Sequence, residues 1–120
     1  MSGPAVDPLV FARLREITGD DADFLAELVD TYLKDGDAQV RALQEAPAGD
    51  LTALVRPAHS LKSSSASIGA TALAERCRAL EADARAGHVD DVDGTVAAIA
   101  EEFEAVAAEL ATMRSGSPPG

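Results

Sequence analysis

The chain has 120 residues and a net charge of −11, from 21 acidic side chains against 10 lysines and arginines. Such a surface repels phosphate backbones and anionic lipid, which argues against nucleic-acid binding and against a membrane-surface role. Apolar residues make up 47% of the chain and aromatic ones only 3%, a balance that suits closely packed helices better than a β-sandwich. One cysteine, Cys77, leaves no internal disulfide, and no stretch approaches the ~20 apolar residues of a membrane span. A single cytoplasmic domain is the expectation.

Five helices are predicted in chain order from start signals, stop signals and periodicity. The first begins at Asp7-Pro8, an N-cap followed by proline, presents Leu9, Val10, Leu14 and Ile17 on one face and stops at Gly19. The second opens at Asp20 or Asp21, carries Phe24, Leu28, Tyr32, Val40 and Leu43, and ends at Pro47 and Gly49. Gly36 in its middle weakens it by about 1 kcal/mol relative to alanine. The third runs from Asp50 to about Ile68, with Leu51, Leu54, Val55, Ala58, Leu61, Ser65 and Ile68 as its buried stripe. The fourth follows Gly69 and buries Leu73, Cys77, Leu80 and Ala84 before Gly87 stops it. The fifth, capped by Asp90 or Asp91, shows Val92, Val96, Ile99, Phe103, Val106 and Leu110 in alternating steps of four and three.

The fold class that results is all-α: an antiparallel four-helix bundle with a short additional N-terminal helix, occupying residues 7–114. Residues 1–6 and 115–120, rich in Gly, Ser and Pro, are expected to be disordered tails. A bundle that buries all its apolar stripes internally is expected to be a monomer.

Chemistry concentrates in the stretch from Ala58 to Ala70. On a helical wheel His59 lies roughly 120° from the centre of the buried stripe, on the solvent-facing shoulder. Lys62 and Ser63, three and four residues on, neighbour it on the surface. A neutral imidazole is a competent nucleophile towards phosphorus, and a nearby ammonium can offset the charge that a phosphoryl group brings. Ser63, Ala66 and Ser67 are small enough to let a partner protein approach the ring, as in-line transfer requires.

This stretch resembles the signature of the histidine phosphotransfer family, A-H-x-L-K-G-S-S-A-x-x-G-A, which Ala58, His59, Leu61, Lys62, Ser64, Ser65, Gly69 and Ala70 match. The run from Leu73 to Glu81 is similar to the family's next helix, and Phe24 to Leu28 with Tyr32 to the helix that shields one side of the histidine. The resemblance covers about residues 7–112. It implies a phosphocarrier of a multistep His-Asp phosphorelay, without kinase or phosphatase activity of its own. His59 would take the group on Nε2 from a receiver aspartate and pass it to another receiver, Lys62 would stabilise the phosphoryl oxygens, and Ser63, Ala66 and Ser67 would lie where the partner docks. The implied partners are receiver domains of response regulators and of a hybrid histidine kinase. The implied magnesium ion belongs to the receiver, so the chain needs no cofactor or metal site.

Two positions depart from the pattern. Ser63 stands where glycine usually follows the lysine, and Pro57 precedes the histidine by two residues, which predicts a bent or irregular helix between Leu54 and His59. A receiver-docking helical module without phosphotransfer is the alternative that these departures allow. The remaining candidates are ordinary: Cys77 as a small buried hydrophobe, His88 as a loop residue without ligand partners, and Asp90, Asp91 and Asp93 as a helix start. Arg56, Arg78 and Arg85 could border the docking surface.

Overall fold

Aspartates decide where most of the helices begin. The Asp7 carboxylate accepts from the Leu9 amide at 2.9 Å, and that of Asp21 from the Asp23 and Phe24 amides at 3.0 and 3.1 Å. Asp91 accepts from Gly94 at 2.9 Å. Each bond satisfies an amide that the first helical turn leaves without a partner. Asp50 works one residue further out, accepting from the Thr52 hydroxyl and the Ala53 amide, and these bonds hold its carboxyl below the usual range.

The computed structural model describes residues 4–114 and contains α1 (Pro8–Ile17), α2 (Ala22–Glu45), α3 (Thr52–Ile68), α4 (Thr71–Arg85) and α5 (Val92–Arg114), with no strand among the described residues. Helix α2 packs on α3 and α5, and α4 packs on the same two, so the four long helices close a ring. Short links make sequence neighbours antiparallel, and α1 lies against α3. The bundle expected from the sequence is the one observed.

Its core is built from the predicted stripes of α3, α4 and α5: Leu54, Ala58, Leu61, Leu73, Cys77, Leu80, Ile99, Val106 and Leu110 are almost completely buried. Gly36 has a packing reason. A Cβ there would collide with Cε1 of Phe103, whose ring tilts against that of Tyr32 with centroids 5.9 Å apart. The helix-propensity cost of this glycine is thus offset by the close approach of α2 and α5. The Tyr32 hydroxyl meets that of Ser65 at 2.8 Å, which satisfies the one fully buried serine of α3 and ties α2 to it. Burial pushes the Tyr32 phenol up to about 12.

Gly69 ends α3 in the left-handed region at φ 94°. Its carbonyl accepts from the Asp7 amide at 2.7 Å, and a Cβ on it would press on Val10 at 3.1 Å and on the Asp7 carbonyl at 3.2 Å. One glycine therefore both turns the chain into α4 and seats the start of α1.

Three expectations are corrected, and the one at Pro57 is narrowed to a helix that stays unbroken. In α1 the buried residue is Phe11, at 1% exposure, while Leu9 and Ile17 face outwards at 77% and 74%; a short helix that touches little besides α3 needs only one anchor. In α2 the stripe runs through Leu25, Val29, Tyr32, Gly36, Val40 and Leu43, leaving Phe24 half exposed. Steps of four, four from Phe24 to Tyr32 drift round the helix, whereas the mixed steps of the observed stripe follow 3.6 residues per turn. Helix α3 runs through Pro57 without interruption. The amide that proline lacks would have bonded Ala53, which lies in the half-buried first turn, where only one turn precedes the ring. Finally, the expected tail over residues 1–6 is packed in part: Ala5 and Val6 are buried, and their amides donate to the Glu109 carboxylate at 2.6 and 3.0 Å. Residues 1–3 and the expected tail over residues 115–120 lie outside the described residues.

Candidate phosphoryl-transfer site

The rotation of α3 is fixed by Ala58 and Leu61, both fully buried. His59 and Lys62, each next in sequence to one of them, come out at the flank of the helix with side chains 53% and 29% exposed. The opposite wall is α4. His59 precedes Ala70 by 70 − 59 = 11 residues and Glu81 follows it by 81 − 70 = 11, so equal rises along the two arms of the hairpin bring the two side chains level.

Glu81 continues the buried stripe of α4, four residues after Cys77, and only 9% of its side chain is exposed. A carboxylate so placed must be paired. It takes three partners. Lys62 Nζ lies 2.7 Å from Oε1, His59 Nδ1 lies 3.0 Å from Oε2, and Arg85 reaches Oε2 with Nε at 3.1 Å and with Nη2 at 3.0 Å. The Lys62 ammonium above all, then Arg85 and His59, outweigh burial and hold the Glu81 carboxyl down at about 2.

An ionised carboxylate only accepts, so His59 Nδ1 must carry the hydrogen it donates. That fixes the neutral ring in the Nδ1–H tautomer and leaves the lone pair on Nε2. Nε2 makes no hydrogen bond among the described residues, and the ring is half open to solvent. The arrangement offers a nucleophilic nitrogen backed by a negative charge.

Ser63, Ala66 and Ser67 are exposed on α3. The Ser67 hydroxyl turns back to donate to the Ser63 carbonyl at 3.1 Å, and Ser64 does the same to Ser60. The surface along this flank therefore stays low. On the α2 side of α3 a shallow, largely apolar groove is lined by Leu14, Leu28, Tyr32, Ser64, Ser67 and Ile68. A concavity lined by Leu43, Pro47, Asp50, Leu54 and Asp91 shares no residue with the histidine site.

Sequence reasoning placed His59 and Lys62 on the surface but missed Glu81, which joins them. The available signal was a carboxylate on the apolar stripe of the fourth helix, since a buried acid demands cations nearby. Arg85 joins this cluster, whereas Arg78 pairs with Glu75 on the exposed side of α4. Cys77 is fully buried, and burial pushes its thiol up to about 12. The His88 ring pairs with Asp90, at 2.6 Å on the surface. Among the described residues no group of three or more His, Cys, Asp or Glu could hold a metal ion, and no helix is long and apolar enough to cross a membrane.

Comparison with known proteins identifies the family. The family model described as the Hpt domain matches residues 27–109. The crystal structure of histidine-containing phosphotransfer protein B (HptB) from Pseudomonas aeruginosa PAO1 is 33% identical, with a TM-score of 0.86. The match covers 98% of this chain and 100% of that one. Comparison with curated proteins finds no match. Proteins of the Hpt family are phosphocarriers rather than enzymes, and they interact with the receiver domains of response regulators. The chain belongs to the histidine phosphotransfer (Hpt) domain family and is a histidine phosphotransfer protein of a phosphorelay.

Proposed function

We propose that His59 carries the phosphoryl group and that the chain relays it from one receiver aspartate to another. The observation that carries this reading is the Nδ1–Glu81 bond, which leaves the Nε2 lone pair of a half-exposed ring as the nucleophile. As the Nε2–phosphorus bond forms, the phosphorus–oxygen bond to the receiver's aspartate breaks, and its electron pair leaves on the carboxylate oxygen. The ring keeps its Nδ1 hydrogen and becomes cationic, and Glu81 faces that charge. In the return direction the ring leaves as neutral imidazole. Lys62, one turn from His59, balances the phosphoryl oxygens. The magnesium ion acts on the partner receiver, and this chain supplies neither a metal nor a cofactor.

The low flank formed by Ser63, Ala66 and Ser67 is where the receiver docks. Small residues let its aspartyl phosphate reach Nε2, and the neighbouring groove supplies apolar contact. In this reading the chain is a carrier without kinase or phosphatase activity of its own. Mixing the protein with a receiver carrying radiolabelled aspartyl phosphate and magnesium tests the proposal. The label is expected to move to this chain as an acid-labile, alkali-stable adduct. Tight receiver binding without any movement of label would instead identify a docking module.

A further inference from the structure

The three partners of Glu81 are divided between its two oxygens in a way that matters once His59 is loaded. Lys62 alone holds Oε1, while His59 and Arg85 share Oε2. A phosphoryl group on Nε2 adds close to two negative charges beside Lys62, whose ammonium is already committed to Glu81. From this division we infer that Arg85 is a positioning residue: it keeps Glu81 fixed and ionised on His59 Nδ1 while Lys62 moves from Glu81 to the phosphoryl group. The inference rests on His59 being the phosphoryl carrier.

Departure of Lys62 strips Oε1 but leaves the contacts of Oε2 unbroken. Arg85 aims two donors of its planar guanidinium at that oxygen, and its i, i+4 placement after Glu81 is the favourable order on a helix. An exposed pair of this kind ordinarily counts for little, and the Arg85 side chain is 60% exposed. Here the partner is a buried carboxylate, for which loss of a second cation after Lys62 is costly. Without Arg85, Glu81 would keep only Lys62 and the His59 ring as partners and would hold Lys62 more tightly, leaving the phosphoryl group less stabilised. The charged groups bonded around His59 are Lys62 from α3 with Glu81 and Arg85 from α4; the exposed Arg56 precedes His59 by one turn of α3, and α2 meets α3 along Ser64 and Ser67 with Asp35 on that flank.

The test is a double-mutant cycle on the rate of phosphoryl acceptance from a labelled receiver. Arg85→Ala is expected to slow acceptance about tenfold, the worth of one charge-assisted bond, and Arg85→Lys to restore most of it. In a Glu81→Gln background there is no charge to hold and no carboxylate to retain Lys62, so Arg85→Ala should then change the rate by no more than about twofold. Full speed in Arg85→Ala, or the same loss with Gln at 81 as with Glu, would overturn the inference while leaving the role of His59 intact. A wild-type chain that accepts no label at all would remove the role of His59, and this inference with it. Helix content by circular dichroism checks that each variant is folded, as expected for a substitution at an exposed side chain.

Discussion

His59→Gln protein is expected to take up no label from a phosphorylated receiver, with its fold and melting temperature close to those of the wild type. The glutamine amide nitrogen has its lone pair delocalised into the carbonyl and cannot attack phosphorus, yet the side chain is of similar reach and its NH₂ can still donate to Glu81. Over half of the His59 side chain is exposed, so the substitution removes little buried surface and should cost within about 0.5 kcal/mol. Loss of labelling can then be assigned to chemistry. Gel autoradiography of the two proteins, with circular dichroism beside it, makes the comparison. Labelling that persists in the variant would point to another residue, and His88, the remaining histidine, would be the first to examine.

Glu81→Gln is expected to slow transfer by roughly 10- to 100-fold, by analogy with removal of the partner that orients a metal-ligating histidine. A neutral amide no longer selects the Nδ1–H tautomer, and it offers no charge to the cationic ring that forms as phosphorus is bound. The same variant should show an altered response to acid. The Glu81 carboxyl sits at about 2 in the folded protein against an ordinary 4.5, chiefly because of Lys62. The folded state therefore binds fewer protons at this site than the unfolded one. Its contribution to stability is complete above pH 4.5, shrinks as the pH falls below that, and is gone near pH 2. Urea unfolding at a series of pH values should thus show a smaller loss of stability between pH 4.5 and pH 2 for Glu81→Gln than for the wild type. Parallel curves for the two proteins would show that the carboxylate is not paired in solution as the structure has it.

Much of the molecule was legible in its sequence, for identifiable reasons. Proline after Asp7, glycine at 69 and 87, and the four-three alternation in α5 are local signals whose physics needs no knowledge of the rest of the chain. They placed the ends and inner faces of α3, α4 and α5 close to where they lie. The inner faces of α1 and α2 were harder. Leucine, isoleucine and phenylalanine occur on both sides of these helices, and only contact with α3 and α5 selects Phe11, Leu25 and Val29 over Leu9, Ile17 and Phe24. The same limit explains the N-terminal strap. Ala5 and Val6 follow a glycine and a proline and read as a tail, yet they are held by Glu109, more than 100 positions away in sequence.

At the site, helical periodicity was sufficient for His59 and Lys62, because surface neighbours on one helix are fixed by three- and four-residue spacing. Glu81 belongs to a different helix, and its alignment with His59 depends on the length of both hairpin arms about the turn at Gly69 and Ala70. Only the folded hairpin shows that Lys62 rests on Glu81 and that the histidine ring is thereby oriented. At Pro57 the helix stays unbroken for a related reason: the effect of a proline depends on how much helix precedes it, and here that is little more than one turn.

Glu81 holds the Nδ1 hydrogen of His59 and thereby directs phosphoryl transfer to Nε2. Nitrogen-15 and phosphorus-31 NMR of protein labelled at histidine, recorded before and after phosphorylation by a receiver, tests it most directly. The prediction is that the neutral form of the His59 ring carries its hydrogen on Nδ1 before transfer, and that a phosphorus–nitrogen coupling to Nε2 of the same ring appears afterwards. A resting ring protonated on Nε2, or phosphorus bonded to Nδ1 or to any other residue, would contradict it.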